Sequence, residues 1–130
     1  MIKQPAMIVV ADDDPSINTI IRMTLEYEGH HVLSYITSAD AWQVAARVRP
    51  DLVITDMHME ARDAGWQLID QLRADPTMAQ VPVLFCSADI DMLTQRADEL
   101  RQHGACVMIK PFAIDDLLPR VHQLLDRGSP

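Results

Sequence analysis

The sequence predicts an α/β fold: a single doubly wound domain of five parallel strands with helices on both faces of the sheet. Short apolar runs alternate with longer amphipathic stretches along the whole chain, the rhythm of repeated strand–helix units. Those runs are nearly continuous rather than alternating, as expected for parallel strands covered on both sides. With 130 residues, 48% hydrophobic and 23% charged, the chain suits one globular core and is short for two.

Ala6 to Ala11 is the first strand. Asp14 caps the next helix, with Pro15 at its first position. Ile17, Ile20, Ile21, Thr24 and Leu25 share a face of that helix, and Gly29 stops it. His31 to Ile36 reads as the second strand. Ser38 then caps a helix that turns Ala41, Trp42, Ala45, Ala46 and Val48 inward and ends at Pro50. Asp51 to Thr55 is the third strand, with Asp56 at its tip.

A third helix runs from Gly65 to Leu72 through Trp66, Leu68 and Ile69. Val81 to Cys86 is the fourth strand, with Pro82 near its start. The fourth helix spans Asp89 to His103, with Met92, Leu93, Arg96, Ala97 and Leu100 on one side and Gly104 after it. Ala105 to Ile109 is the fifth strand. Ile114 to Arg127 is the last helix, burying Leu117, Leu118, Val121, Leu124 and Leu125; Pro119 inside it predicts a kink or a loosened first turn. Both tryptophans read as helix packing, and His30, His31, His103 and His122 as surface or capping residues without ligand spacing.

Composition narrows the function. A formal charge of -8 repels phosphate backbones, so direct nucleic-acid binding by this domain is not expected. Cys86 and Cys106 have no metal-ligand spacing and read as small buried hydrophobes in a reducing compartment. Neither a signal-peptide run nor a membrane-length apolar stretch is present, so a soluble cytoplasmic domain is expected.

In an open parallel sheet, ligands bind at the carboxyl ends of the strands. There the sequence puts Asp12 and Asp13, Asp56, Ser87 and Lys110. Two carboxylates about 4 Å apart repel by roughly 4 kcal/mol at an effective dielectric near 20. Three of them call for a cation or a protonated member, and hard oxygen ligands favour magnesium over zinc. Lys110 and Ser87 add a positive charge and a hydroxyl donor, the partners a phosphoryl group on Asp56 would need.

Four stretches, IVVADDDP at 8–15, PDLVITDMHM at 50–59, VPVLFCSAD at 81–89 and GACVMIKPF at 104–112, closely resemble the signatures of response-regulator receiver domains, in order and in register. The resemblance covers nearly the whole chain and implies one receiver domain over 1–130 with strand order 2-1-3-4-5, as in chemotaxis regulators. It makes Asp56 the phosphoacceptor, a nucleophile toward a phosphohistidine. Asp13 matches the direct magnesium ligand, Asp12 a ligand mostly through water, and the His58 backbone carbonyl the third protein ligand; manganese could replace magnesium. Ser87 matches the hydroxyl switch residue, Lys110 the phosphate-pairing lysine, and Lys110–Pro111 a peptide bond that is usually cis. The implied partners are a histidine kinase or histidine phosphotransfer protein on one side, and a downstream protein or fused output domain on the other.

The chain departs from that family pattern in places. Glu60 stands where the family has proline, and one extra residue precedes Gly65, which lengthens the loop from Met59 to Ala64. Val107 takes the place of an aromatic switch residue, and Ala113 that of a polar helix cap. His58 and Asp89 fall where side chains tune hydrolysis of the acyl phosphate. An alternative is a pseudo-receiver that binds partners without phosphorylation. A magnesium-dependent phosphatase is weaker: it would want a carboxylate at His58 and a cap domain. Gly128-Ser129-Pro130 suits either the end of a stand-alone regulator or the start of a linker.

Overall fold

Runs of apolar residues with no polar break leave a strand no solvent face, and the three central strands of the sheet are accordingly buried on both sides, while the two edge strands stay partly exposed. The computed structural model describes residues 5–127; Gly128 to Pro130, read above as a chain end or linker start, lie outside the described residues. The strands are β1 (Met7–Ala11), β2 (His31–Tyr35), β3 (Leu52–Asp56), β4 (Val83–Ser87) and β5 (Ala105–Ile109). They pair in parallel in the order β2-β1-β3-β4-β5. The helices are α1 (Pro15–Tyr27), α2 (Ser38–Val48), α3 (Ala64–Ala74), α4 (Ile90–Gln95), α5 (Ala97–Gln102) and α6 (Ile114–Arg127).

Period-two alternation sorts the strand side chains into two cores. Ile8, Val10, Leu52, Ile54, Leu84 and Cys86 face Ile21 and Leu25 of α1 and Leu117, Val121 and Leu124 of α6. On the other side Val9, Val53, Val83 and Phe85 meet Ala41 and Ala45 of α2, Leu68, Ile69 and Leu72 of α3, and Leu93 and Leu100 of α4 and α5. Trp66 packs in this second core at 6.2 Å from Phe85, which bears out its reading as helix packing.

Several expectations need correction. The fourth helix is two short ones, broken at Arg96, whose guanidinium lies 4.0 Å over the Trp66 ring. The inward side of that stretch is still the expected one, through Leu93 and Leu100. Ile20 is 50% exposed, and Asn18 takes its place on the buried face of α1. Ala46 and Val48 also face out. The N-cap of α2 is Thr37, which accepts from the Asp40 amide, and Ser38 is the first helical residue. Arg49 ends α2 in the left-handed region at φ 52°. Asp14 caps α1 as expected, accepting from the amides of Ser16 and Ile17.

His30 is not a surface residue. It is 5% exposed, and its Nδ1 accepts a 3.0 Å hydrogen bond from the Ala6 amide. The proton of the neutral ring therefore sits on Nε2, which is buried and has no hydrogen-bond partner among the described residues. Burial first, then His122 and His31, hold the imidazole below its ordinary range, against the pull of Glu28 and Asp51. Such a group takes its proton more readily in the unfolded chain. Stability from this source is intact above about pH 6.5 and declines as pH falls toward the lower folded value. Replacing His30 by asparagine leaves an acceptor near the Ala6 amide but removes the titration. Urea midpoints measured between about pH 7.5 and pH 5 should fall less steeply in His30→Asn than in the wild type; parallel slopes would exclude the effect.

Candidate functional site

The tips of β1, β3, β4 and β5 meet at one edge, around a cavity of about 420 Å³ lined by Asp12, Asp13, Asp14, Ile17, Asp56, His58, Ser87, Ala88, Asp89 and Lys110. One carboxylate oxygen from each of Asp12, Asp13 and Asp56 lies within 4.8 Å of the others. Asp12 is 2% exposed and Asp13 is exposed. The Asp12 carboxylate accepts from the Asp14 amide at 2.9 Å. Its backbone is clamped by Asn18, whose Nδ2 donates to the carbonyls of Asp12 (2.9 Å) and Tyr35 (2.8 Å) and so ties β1 to β2. Asn18 escaped the sequence reading; an amide at helical spacing with Ile21 and Leu25 was its signal.

Lys110 answers the acids. Its Nζ lies 2.6 Å from Asp12 Oδ2 and 3.2 Å from Asp56 Oδ2, so it pairs more closely with Asp12. The Lys110–Pro111 bond is cis, as the resemblance implies, and the Lys110 amide donates to the Ser87 carbonyl at 2.9 Å. Burial, reinforced by Asp12, pushes the Asp56 carboxyl above its ordinary range although Lys110 and the Met57 amide pull it down. Burial works against the Lys110 ammonium too, but hydrogen bonds and charges from Asp12 and Asp56 outweigh it and raise its affinity for the proton. Ser87 is 1% exposed; its Oγ lines the same edge and accepts from the Asp89 amide at 3.0 Å.

Two loops frame the opening. The His58 ring bridges them, with Nε2 3.0 Å from Asp89 Oδ2 and Nδ1 on the Arg62 carbonyl. The hydrogen bond to Asp89, partly offset by burial, raises the His58 imidazole above its usual range, while Asp89 is held low chiefly by His58. Asp89 also caps α4 by accepting from the Met92 amide. Glu60 reaches the other way, to the start of α2, where it accepts from the Ser38 amide (2.8 Å), the Ser38 hydroxyl (2.7 Å) and the Ala39 amide (3.1 Å). Val107, partly buried, packs against the core on the α3 side.

The donor set is all oxygen, it is gathered at the tips of two strands, β1 and β3, and its carboxylate oxygens lie within 4.8 Å of one another; those features fit a hard divalent cation. Together with a five-stranded parallel sheet, they define a receiver-type α/β signalling domain. The chain belongs to the response regulator receiver domain family, whose pattern matches residues 8–122, and such domains are parts of two-component systems. It is 33% identical over 126 residues to the response regulator MprA of a Mycobacterium species (strain KMS), covering 97% of this chain and 53% of that protein. To the DNA-binding dual master transcriptional regulator RpaA of Synechocystis it is 28% identical over 120 residues, covering 92% of this chain and 49% of that protein. The chain thus spans about half the length of the curated relatives it matches. Its fold matches the chemotaxis response regulator CheY4 of Vibrio cholerae with a TM-score of 0.83 at 23% identity, over 93% of this chain and 99% of that one. Among the described residues no helix is long and apolar enough to cross a membrane.

Proposed function

We propose that Asp56 accepts a phosphoryl group from a phosphohistidine in a magnesium-dependent reaction, and that the resulting change of shape alters partner binding. The observation that carries this is the convergence of Asp12, Asp13 and Asp56 with the Lys110 ammonium at the mouth of one cavity. Asp12, Asp13, Asp56 and the His58 carbonyl would hold the ion, for which manganese could stand in. When bound, it offsets the negative charge of the phosphoryl oxygens. An Asp56 oxygen attacks phosphorus; the new O–P bond forms as the N–P bond to the donor imidazole breaks, and the electron pair leaves with that nitrogen.

Lys110 then exchanges its contact with Asp56 for a phosphoryl oxygen, and the Ser87 hydroxyl turns from the Asp89 amide to another. Ser87 is the switch: its buried hydroxyl and the loop it steadies must shift together. His58 and Asp89, paired over the opening, set how easily water reaches the acyl phosphate. The kinase or phosphotransfer protein that supplies the group, and the downstream protein or attached output domain that reads it, are the expected partners. With a charge of -8 this domain would leave any DNA contact to another.

Acetyl phosphate with magnesium should add one phosphoryl group to the wild type, seen by intact mass, and none to Asp56→Asn or in the presence of EDTA. A wild type that gains no mass would leave a partner-binding domain without phosphorylation.

A further inference from the structure

We propose that Glu60 is a positioning residue for the cation: its grip on the start of α2 fixes the loop that brings the His58 carbonyl to the acidic edge. This rests on the metal-dependent reading above. The segment between β3 and α3 leaves the sheet at Asp56 and re-enters regular structure at Ala64. Within it the backbone makes three bonds of its own, from the Met59 and Ala64 amides to the Ala61 carbonyl (3.1 and 3.2 Å) and from the Gly65 amide to the Met57 carbonyl (2.8 Å). Two of its side chains also reach out of the segment, in different directions. His58 reaches Asp89 on the β4 side, and Glu60 reaches Ser38 and Ala39 on the α2 side.

Glu60 is an exposed residue, yet its carboxylate accepts three hydrogen bonds from a helix start 22 residues away in the chain. Charge-assisted bonds to amides at a helix N-terminus are among the stronger polar contacts available at a surface. Burial acts to raise its carboxyl, but the Ser38 and Ala39 donors prevail and hold it low. A loop freed from that hold visits other courses. Apparent metal affinity then falls with the fraction of time the carbonyl is in place. The plainer role, capping α2, would cost stability and leave metal affinity alone.

Manganese binding by the full chain, followed by the electron paramagnetic resonance signal of free manganese, separates these. Glu60→Ala should bind manganese about threefold or more weakly. Glu60→Gln, which keeps one acceptor oxygen, should fall between it and the wild type. The magnesium concentration for half-maximal phosphorylation by acetyl phosphate should rise in the same order, with the rate at saturating magnesium close to wild type. Should alanine unfold the domain, Glu60→Gln and Ser38→Ala, which removes one of three donors, carry the comparison. Folded variants that bind manganese as tightly as the wild type would overturn the proposal. A wild type that binds none would instead overturn the metal-dependent reading itself.

Discussion

Replacing Lys110 by methionine is expected to destabilise the domain by about 3 kcal/mol at neutral pH and to slow phosphorylation of Asp56 by about a hundredfold. The first figure follows from burial. Asp12 and Lys110 form a 2.6 Å pair with side chains only 2% and 11% exposed, so the methionine variant leaves an almost fully buried carboxylate without its cation. Asp56, 3.2 Å from the same ammonium, loses its partner as well. Methionine matches the length of the lysine stem, which limits the packing loss and makes charge the main change. Added magnesium should return part of the lost stability, because an ion bound only by the folded state stabilises by mass action. The second figure reflects the loss of one fixed positive group at the point where charge develops on the phosphoryl oxygens. Urea unfolding with and without magnesium, beside initial rates of acetyl phosphate labelling, measures both. Unchanged stability in the absence of magnesium would mean that the acids are not held by this lysine.

That pairing shows what the sequence could and could not reveal. The strand tips were legible because continuous apolar runs end abruptly in Asp12, Asp56, Ser87 and Lys110, and β5 and α6 have the bounds read for them. Local pattern does not say which acid the lysine prefers; that depends on how far β5 sits from β1 and β3 in the finished sheet. Nor could it show the break at Arg96. The apolar positions continue in helical register through it, with no glycine or proline, and the break coincides with a contact to Trp66 thirty residues away in the chain. Ile20, Ala46 and Val48 misled for another reason. Apolar residues occur freely on surfaces, and a wide stripe does not say which of its edges is left outside. His30 and Glu60 were illegible because each acts on a partner far off in sequence, Ala6 in one case and Ser38 in the other.

Gly65→Ala is expected to cost about 3 kcal/mol and to slow phosphorylation by about tenfold or more, although glycine-to-alanine changes within helices usually stabilise. A Cβ at Gly65 would lie 1.9 Å from the Asp56 carbonyl oxygen, 2.8 Å from its carbon and 2.9 Å from Met57 Cα. All three are backbone atoms, so no side chain can rotate away. Either α3 must retreat or the Asp56–Met57 peptide must move, and the latter carries the Asp56 carboxylate with it. The Gly65 amide also donates to the Met57 carbonyl at 2.8 Å, so retreat breaks a bond that closes this corner. Gly104→Ala is the control. Its Cβ would meet nothing within 4 Å, but φ is +68°, so the cost is conformational, about 1 kcal/mol, and the labelling rate should hold. The two glycines thus separate a backbone constraint at the site from one outside it. Equal labelling rates in Gly65→Ala and Gly104→Ala would show that the close approach of α3 to β3 serves packing alone and does not place the Asp56 carboxylate.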